Sequence, residues 1–186
     1  ERVKIQYGTS MCYPVSSMGS HVSVVPNHQL NRKTPLHTRA NVAYFGTFGY
    51  ELDLNKLSDE EISEVKQQIT FMKEYRELIQ FGTFYRLKSP FEGNETVWMT
   101  VSEDKKTALV FWYRERNVVN ADFTRVRLQG LDPDLIYRNE YNGTENYGDE
   151  LMNLGLLTTD CTAGEPTSEN EPCTDYESRI YVLTAK

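Results

Sequence analysis

Hydrophobic periodicity changes once along these 186 residues, near Ser89-Pro90, and that change restricts the chain to a mixed architecture. Before it, helical and strand-like stretches alternate, the pattern of βα units on a parallel sheet. After it, short apolar runs follow one another between polar turns, the pattern of antiparallel strands. The expected fold class is α/β followed by all-β. At about 150 residues per domain the length allows one full domain or two partial ones, and it is too short for a complete eight-fold α/β barrel of roughly 250 residues.

In the first region, Glu1 to Tyr7 reads as the end of a helix with Gly8 as its left-handed cap. Met11 to Val15 reads as a short strand, turning through Ser16 to His21. Thr34-Pro35 predicts a helix start, with the threonine capping free amides and proline in the first turn. That helix would carry Leu36, Val42 and Tyr44 before Gly46 and Gly49 break it. Tyr50 to Leu54 alternates as a strand end does. Ser58-Asp59-Glu60-Glu61 fits a capping box. Ile62, Val65, Ile69, Met72, Tyr75 and Ile79 then form one apolar stripe over about five turns, closed by Gly82.

In the second region, Val97, Met99 and Val101 alternate with polar residues, Ser102 to Lys106 is a turn, and Ala108 to Tyr113 is apolar on both faces. Arg125 to Leu128 alternates again, and Gly130 to Pro133 is a turn cluster. Ile136 to Tyr141 leads into Asn142-Gly143, a two-residue hairpin signal. Leu151 to Leu157 and Ile180 to Thr184 complete about six strands, enough for a small β-sandwich. Thr158 to Ser178 reads as a polar surface loop.

Charge and composition exclude several functions. The net charge of −7, with no Lys/Arg-rich run, disfavours nucleic acid as a partner. No apolar run approaches the roughly 20 residues that cross a bilayer. Cys12, Cys161 and Cys173 lack a C-x-x-C pattern, so neither zinc nor redox chemistry is expected, and no metal or cofactor is called for. Cys161 and Cys173 stay open between two loop thiols and, after export, a pair. The opening Glu1-Arg2-Val3-Lys4 has no start methionine and no signal-peptide pattern, and the expectation is a piece of something longer.

Few side chains suggest chemistry. Asp59, Glu60, Glu61, Glu64, Glu74 and Glu77 fit the solvated face of their helix. Glu51 and Asp53, at a strand end, are the more interesting carboxylates. His21, His28 and His37 fit neither the i, i+4 pairing of zinc proteases nor a finger, and read as hydrogen-bonded structural residues. Phe81 to Tyr85, Trp98, Trp112 and Tyr113 would make either a carbohydrate platform or, the plainer reading, core. Asn94-Glu95-Thr96 and Asn142-Gly143-Thr144 match the glycosylation pattern, as short sequences do by chance. No Gly-x-Ser-x-Gly elbow, phosphate loop or dinucleotide fingerprint occurs.

Longer motifs carry a resemblance. Lys4-Ile5-Gln6-Tyr7-Gly8-Thr9-Ser10, Ser16-Ser17-Met18-Gly19-Ser20-His21-Val22-Ser23 and Pro26-Asn27-His28-Gln29 closely resemble bacterial α-galactosidases of glycoside hydrolase family 36. So do Arg39-Ala40-Asn41-Val42-Ala43-Tyr44-Phe45-Gly46-Thr47-Phe48-Gly49-Tyr50-Glu51-Leu52-Asp53 and Lys73-Glu74-Tyr75-Arg76-Glu77-Leu78-Ile79-Gln80. Phe84-Tyr85-Arg86-Leu87, Ser89-Pro90-Phe91-Glu92, Gly130-Leu131-Asp132-Pro133 and Gly148-Asp149-Glu150-Leu151-Met152 extend the likeness over nearly the whole chain. The polar segment Thr158 to Ser178 is longer than the family pattern leads one to expect.

The resemblance implies that residues 1–89 supply the last two βα units of a (β/α)8 (TIM) barrel, and residues 90–186 a C-terminal antiparallel β-sandwich. It implies a retaining hydrolase acting on terminal α-linked galactose in oligosaccharides of the raffinose and melibiose type. That chemistry uses two carboxylates about 5 Å apart. Both family aspartates are expected upstream of Glu1, so no catalytic, substrate-binding or metal residue is assigned here and the chain alone is expected to be inactive. A homo-oligomeric, cytoplasmic bacterial enzyme without a cofactor is the associated expectation. The rival readings are a non-catalytic carbohydrate-binding or assembly module and a related raffinose-type galactosyl transferase.

Overall fold

Ser58 and Glu61 close the predicted capping box: the Ser58 amide donates to the Glu61 carboxylate at 3.0 Å, and the Glu61 amide to Ser58 Oγ at 3.3 Å. The helix they start, Asp59–Phe81, runs for 23 residues. In the computed structural model, which describes residues 1–118, 123–158 and 175–186, this helix completes the first of two units, Glu1–Phe81 and Gly82–Lys186. Cys161, Cys173 and most of the Thr158 to Ser178 loop lie outside the described residues.

The first unit alternates helix and strand as expected: α1 (Arg2–Ser10), β1 (Val22–Ser23), α2 (Leu36–Ala43), β2 (Tyr50–Glu51) and α3 (Asp59–Phe81). β1 and β2 pair in parallel, Val22 opposite Tyr50 and Ser23 opposite Glu51. Several local expectations are corrected. α1 runs through Gly8 to Ser10, and Ser10 Oγ donates to the Tyr7 carbonyl at 2.6 Å, so side-chain and tight-turn bonds end it and not a left-handed glycine. Met11 to Val15 is not a strand. Pro14 has no amide to give a ladder, and its carbonyl instead accepts the Ser17 amide in a tight turn. The strand comes after this motif, at Val22. Pro35 stands at the start of α2 with no side-chain cap, and Arg39 Nε takes the Thr34 carbonyl at 3.0 Å. The strand at Tyr50 lasts two residues, because the Asp53 carboxylate accepts the Asn55 amide and turns the chain.

Strands this short leave many backbone groups to be satisfied by side chains. Gln6 Nε2 donates to the Val42 and Phe45 carbonyls at 3.0 and 2.6 Å, at the free C-terminal end of α2. Ser20 Oγ donates to Ala43 O, and Gln80 Nε2 to Gly46 O. On α3, Val65, Met72 and Ile79 are buried while Ile62, Ile69 and Tyr75 are half-buried. The rings of Tyr44, Phe48, Tyr50, Phe71 and Tyr75 form a chain with centroid spacings of 4.8–5.3 Å, joining the end of α2, β2 and α3.

The second unit is built on β3 (Thr83–Lys88), β4 (Glu95–Val101), β5 (Thr107–Arg114), β6 (Arg125–Val126), β7 (Ile136–Asn139), β8 (Glu145–Tyr147), α4 (Gly148–Asn153), β9 (Leu156–Leu157) and β10 (Glu177–Ala185). Six strands form one antiparallel sheet in the order β3-β4-β5-β10-β7-β8, and β6 pairs with β9 separately. Val97, Met99, Trp112 and Tyr181 on one face of the large sheet share a core with Val126 of β6, Leu128 just after it, Leu151 of α4 and Leu156 of β9. Trp98, Thr100, Leu109 and Phe111, on the opposite face, are buried too, so β4 does not show the polar-out alternation expected of it.

Two further expectations change. Leu151 to Leu157 is a short helix followed by a two-residue strand, because Gly155 at φ +92° turns the chain between them. The Asn142-Gly143 turn exists, with Gly143 at φ +72°, but its strands close across Asn139 and Thr144, so the loop is longer than two residues. Gly148 has a different reason to be glycine: a Cβ there would overlap the Asp132 carbonyl oxygen.

Two stability orderings follow from this packing. In urea denaturation, Met72→Ala should cost about 2–5 kcal/mol as a buried large-to-small change. Ser58→Ala should cost about 1 kcal/mol through the lost cap. In the second unit, Gly148→Ala should cost more than about 2 kcal/mol, since backbone blocks its Cβ. Gly93→Ala, where a Cβ meets nothing within 4 Å, should leave the midpoint within experimental error.

Candidate functional site

Of the residues singled out for possible chemistry, His21 and Glu51 are brought together in the first unit. His21 Nε2 faces both Arg2 Nη2, at 2.7 Å, and the Glu51 carboxylate, while Arg2 also donates to Ser23 Oγ at 2.6 Å. One imidazole nitrogen cannot serve both at once. As an acceptor it takes a proton of Arg2, and as a donor it serves Glu51, the choice resting on which ring nitrogen carries hydrogen. Arg2 ties α1 to β1 through Ser23 in both cases, and His21 adds a link either to α1 or to Glu51 of β2. Asp53 does not join them, and its carboxylate is used in the Asn55 turn. His28 and His37 are exposed, and Cys12 is an exposed free thiol. Among the described residues no three His, Cys, Asp or Glu side chains converge as a metal site.

The same unit holds a second polar group. Tyr50 Oη donates to Gln68 Oε1 at 2.8 Å, and Gln68 Nε2 to Glu64 Oε1 at 2.8 Å. Burial, followed by the charge of Glu64, pushes the Tyr50 hydroxyl up to about 12. Burial, then Tyr50 and Glu64, pushes Tyr44 up as well. Burial lowers Arg39 against the pull of Glu61 and Glu64.

The second unit holds the densest charge arrangement, which reading the sequence missed. Glu95, Arg114 and Glu177 stand in one row across β4, β5 and β10. Glu95 accepts from Lys88, from Trp112 Nε1 at 3.1 Å and from Thr124 Oγ1 at 3.1 Å. Glu177 pairs with Arg114 and, at 2.6 Å, with Arg179. Both guanidinium groups lie over the Trp112 ring, at 5.3 and 5.6 Å. The signal was present: each of these charges caps or interrupts an apolar strand in phase with Trp112. Only Lys88 with Glu95 and Arg179 with Glu177 are near in sequence; the other partners lie 17 to 63 residues apart. Trp98 and Trp112 are fully buried and Tyr113 nearly so, which makes them core and not a sugar platform. Asn94 uses its side-chain amide on both backbone groups of Arg116, and Asn142 on the Thr144 amide and hydroxyl.

Both units match known families. Residues 1–82 match the Melibiase model, and residues 95–183 the glycosyl hydrolase family 36 C-terminal domain. The chain belongs to glycoside hydrolase family 36. It is 54% identical over 155 residues to α-galactosidase AgaA of Geobacillus stearothermophilus, covering 83% of this chain and 21% of AgaA. It is 50% identical over 156 residues to α-galactosidase Mel36A of Lactobacillus acidophilus, covering 84% and 21%. The chain thus spans about a fifth of the length of these family 36 relatives. The crystal structure of AgaA superposes with a TM-score of 0.89 at 48% identity, and that of an α-galactosidase from Lactobacillus brevis with 0.91 at 43%; each covers 100% of this chain and 24% of the other. Variants of AgaA have been crystallised with raffinose and with stachyose. No described helix of this family 36 chain is long and apolar enough to cross a membrane.

The tyrosine cluster sets an alkaline limit on stability. Tyr50 ionises at about 12 folded and at about 10 unfolded, so the folded state holds more protons in between. The stabilisation is complete below about pH 10 and is lost as pH rises towards 12. Urea midpoints should fall between about pH 10 and about pH 12. They should fall less steeply in Tyr50→Phe, and tyrosinate absorbance should appear at higher pH in native than in denatured protein.

Proposed function

We propose that this chain is part of a retaining α-galactosidase that removes terminal α-linked galactose from raffinose- and melibiose-type oligosaccharides. The observation that carries this reading is the likeness to α-galactosidases, over 100% of the chain in structure, with family models matching residues 1–82 and 95–183. In this reading the first unit contributes the last two βα units of a (β/α)8 barrel, a role its parallel β1–β2 pair and flanking helices support. The second unit is the C-terminal β-sandwich, supported by two antiparallel sheets that share one core. We put the passage from barrel to sandwich at 89/90, within residues 83–94 that neither family model matches, while the two compact units divide at Phe81/Gly82. A homo-oligomeric, cytoplasmic enzyme belongs to the same reading and is supported by the resemblance alone.

The reaction needs one carboxylate to attack the anomeric carbon and a second to protonate the departing oxygen and then activate water. The carboxylates that stand out in this chain are committed elsewhere: Glu51 to His21, Asp53 to a turn, and Glu95 and Glu177 to cations. We assign both catalytic carboxylates to sequence beyond these 186 residues. The enzyme translated from the complete reading frame should release galactose from raffinose, with the α-anomer appearing first by NMR. The 186-residue chain alone should not turn over an aryl α-galactoside. Release of β-galactose first, or no release, would overturn the reading, and galactose delivered to a second sugar in place of water would mark the transferase alternative.

A further inference from the structure

Asn142-Gly143 is the only Asn-Gly pair in the sequence, and every other asparagine is followed by a residue with a side chain. The difference is chemical. A side chain on the following residue crowds the approach of its amide nitrogen to the asparagine Cγ, and glycine has none. The pair stands in the loop between β7 and β8, with Asn142, Gly143 and Thr144 all exposed. Asn142 Oδ1 accepts from the Thr144 amide at 3.1 Å and from Thr144 Oγ1 at 2.8 Å. Both donors draw electron density from Cγ, which makes that carbon a better electrophile. Gly143 is at φ +72°, and a Cβ built on it meets nothing within 4 Å, so the loop around the pair is open.

One contact opposes reaction. The Gly143 amide donates to the Asn139 carbonyl at 2.7 Å, and the nucleophile is the nitrogen stripped of that proton. Asn139 is buried and its own amide donates to the Thr144 carbonyl at 2.8 Å, so the acceptor is fixed in place. We propose that Asn142 is the site at which this chain converts spontaneously to isoaspartate, with the Gly143–Asn139 hydrogen bond as the latch. When local opening breaks that bond, base removes the Gly143 proton and the nitrogen attacks Asn142 Cγ. The N–Cγ bond forms, the Cγ–Nδ2 bond breaks, and Nδ2 leaves as ammonia with a proton from water. The resulting succinimide then adds water. Opening of the ring at Cγ gives aspartate, and opening at the main-chain carbonyl carbon gives isoaspartate, whose chain runs through Cβ and Cγ. The product adds a carboxylate between Glu140 and Glu145 and lengthens a loop that Asn139 and Thr144 close. It has the chemistry of a substrate for enzymes that methylate isoaspartyl carboxylates with S-adenosylmethionine. Nothing in the step depends on the hydrolase reading.

The test incubates the whole chain at mildly alkaline pH, in native buffer and in guanidinium chloride. Peptide mapping by mass spectrometry locates converted residues. Isoaspartate is measured by transfer of a labelled methyl group from S-adenosylmethionine, using a purified isoaspartyl methyltransferase. Asn142 should be the first asparagine converted in native buffer. Conversion should be about five-fold or more faster in guanidinium chloride, the factor for opening about one hydrogen bond. Asn142→Gln should lose most of the label while keeping the thermal melt. Gly143→Ala should also slow conversion, and because alanine is strained at φ +72°, Asn142→Gln decides the matter if the alanine variant folds poorly. The proposal is overturned if another asparagine converts first in native buffer, if native and unfolded chains convert at the same rate, or if labelling is undiminished in Asn142→Gln.

Discussion

Nine residues, Glu177–Ala185, hold the second unit's sheet together. β10 pairs with β5 along eight registered positions and with β7 along three, and the sheet order gives no other connection between β3-β4-β5 and β7-β8. Because strand side chains repeat with period two, that register fixes every side chain on both neighbours. It puts Glu177 beside Arg114, Arg179 beside Trp112, and Tyr181 and Leu183 into the core beside Val110 and Ala108. A slip of one residue would carry Tyr181 and Leu183 out of that core and separate the ion pairs. Charge row and hydrophobic core therefore enforce the same alignment.

The first unit solves the opposite problem. Its strands are two residues long, so little of its backbone is paired in a ladder, and buried amide and hydroxyl side chains supply the difference. Gln6, Ser20 and Gln80 each donate to carbonyls 23 to 39 residues away. Removing one of these side chains would leave a buried carbonyl without a donor, and that costs more than the bond contributes. Phe48, at φ +51°, is kept in a conformation unusual for a bulky residue by stacking on Tyr44 and edge contact with Tyr50.

What could be read in the sequence was what depends on neighbours in sequence. The capping box at Ser58, the stripe of α3, the polar turn at Ser102 and the turn at Gly143 all arise from interactions within a few residues. The errors share a different cause. Val22–Ser23 is too short to show a period, and what makes it a strand is its partner at Tyr50, 28 residues on. Leu151 to Leu157 is apolar in either conformation, and the choice is made by Gly155 together with the pairing of Leu156 to Val126. The Glu95–Arg114–Glu177 row is long-range by construction. The family was legible only through extended motifs, which bear on ancestry and not on which side chains do chemistry.

The central place of β10 has a consequence for how the chain comes off the ribosome. Synthesis runs from the N-terminus, so β3, β4 and β5 emerge more than sixty residues before their sheet can be completed. Throughout that interval the edge of β5, with Leu109, Phe111 and Tyr113 along it, has no partner strand, and such an edge invites pairing with other chains. The growing chain therefore passes through a window in which a chaperone, or slow spacing between ribosomes, would decide yield more than the stability of the finished fold.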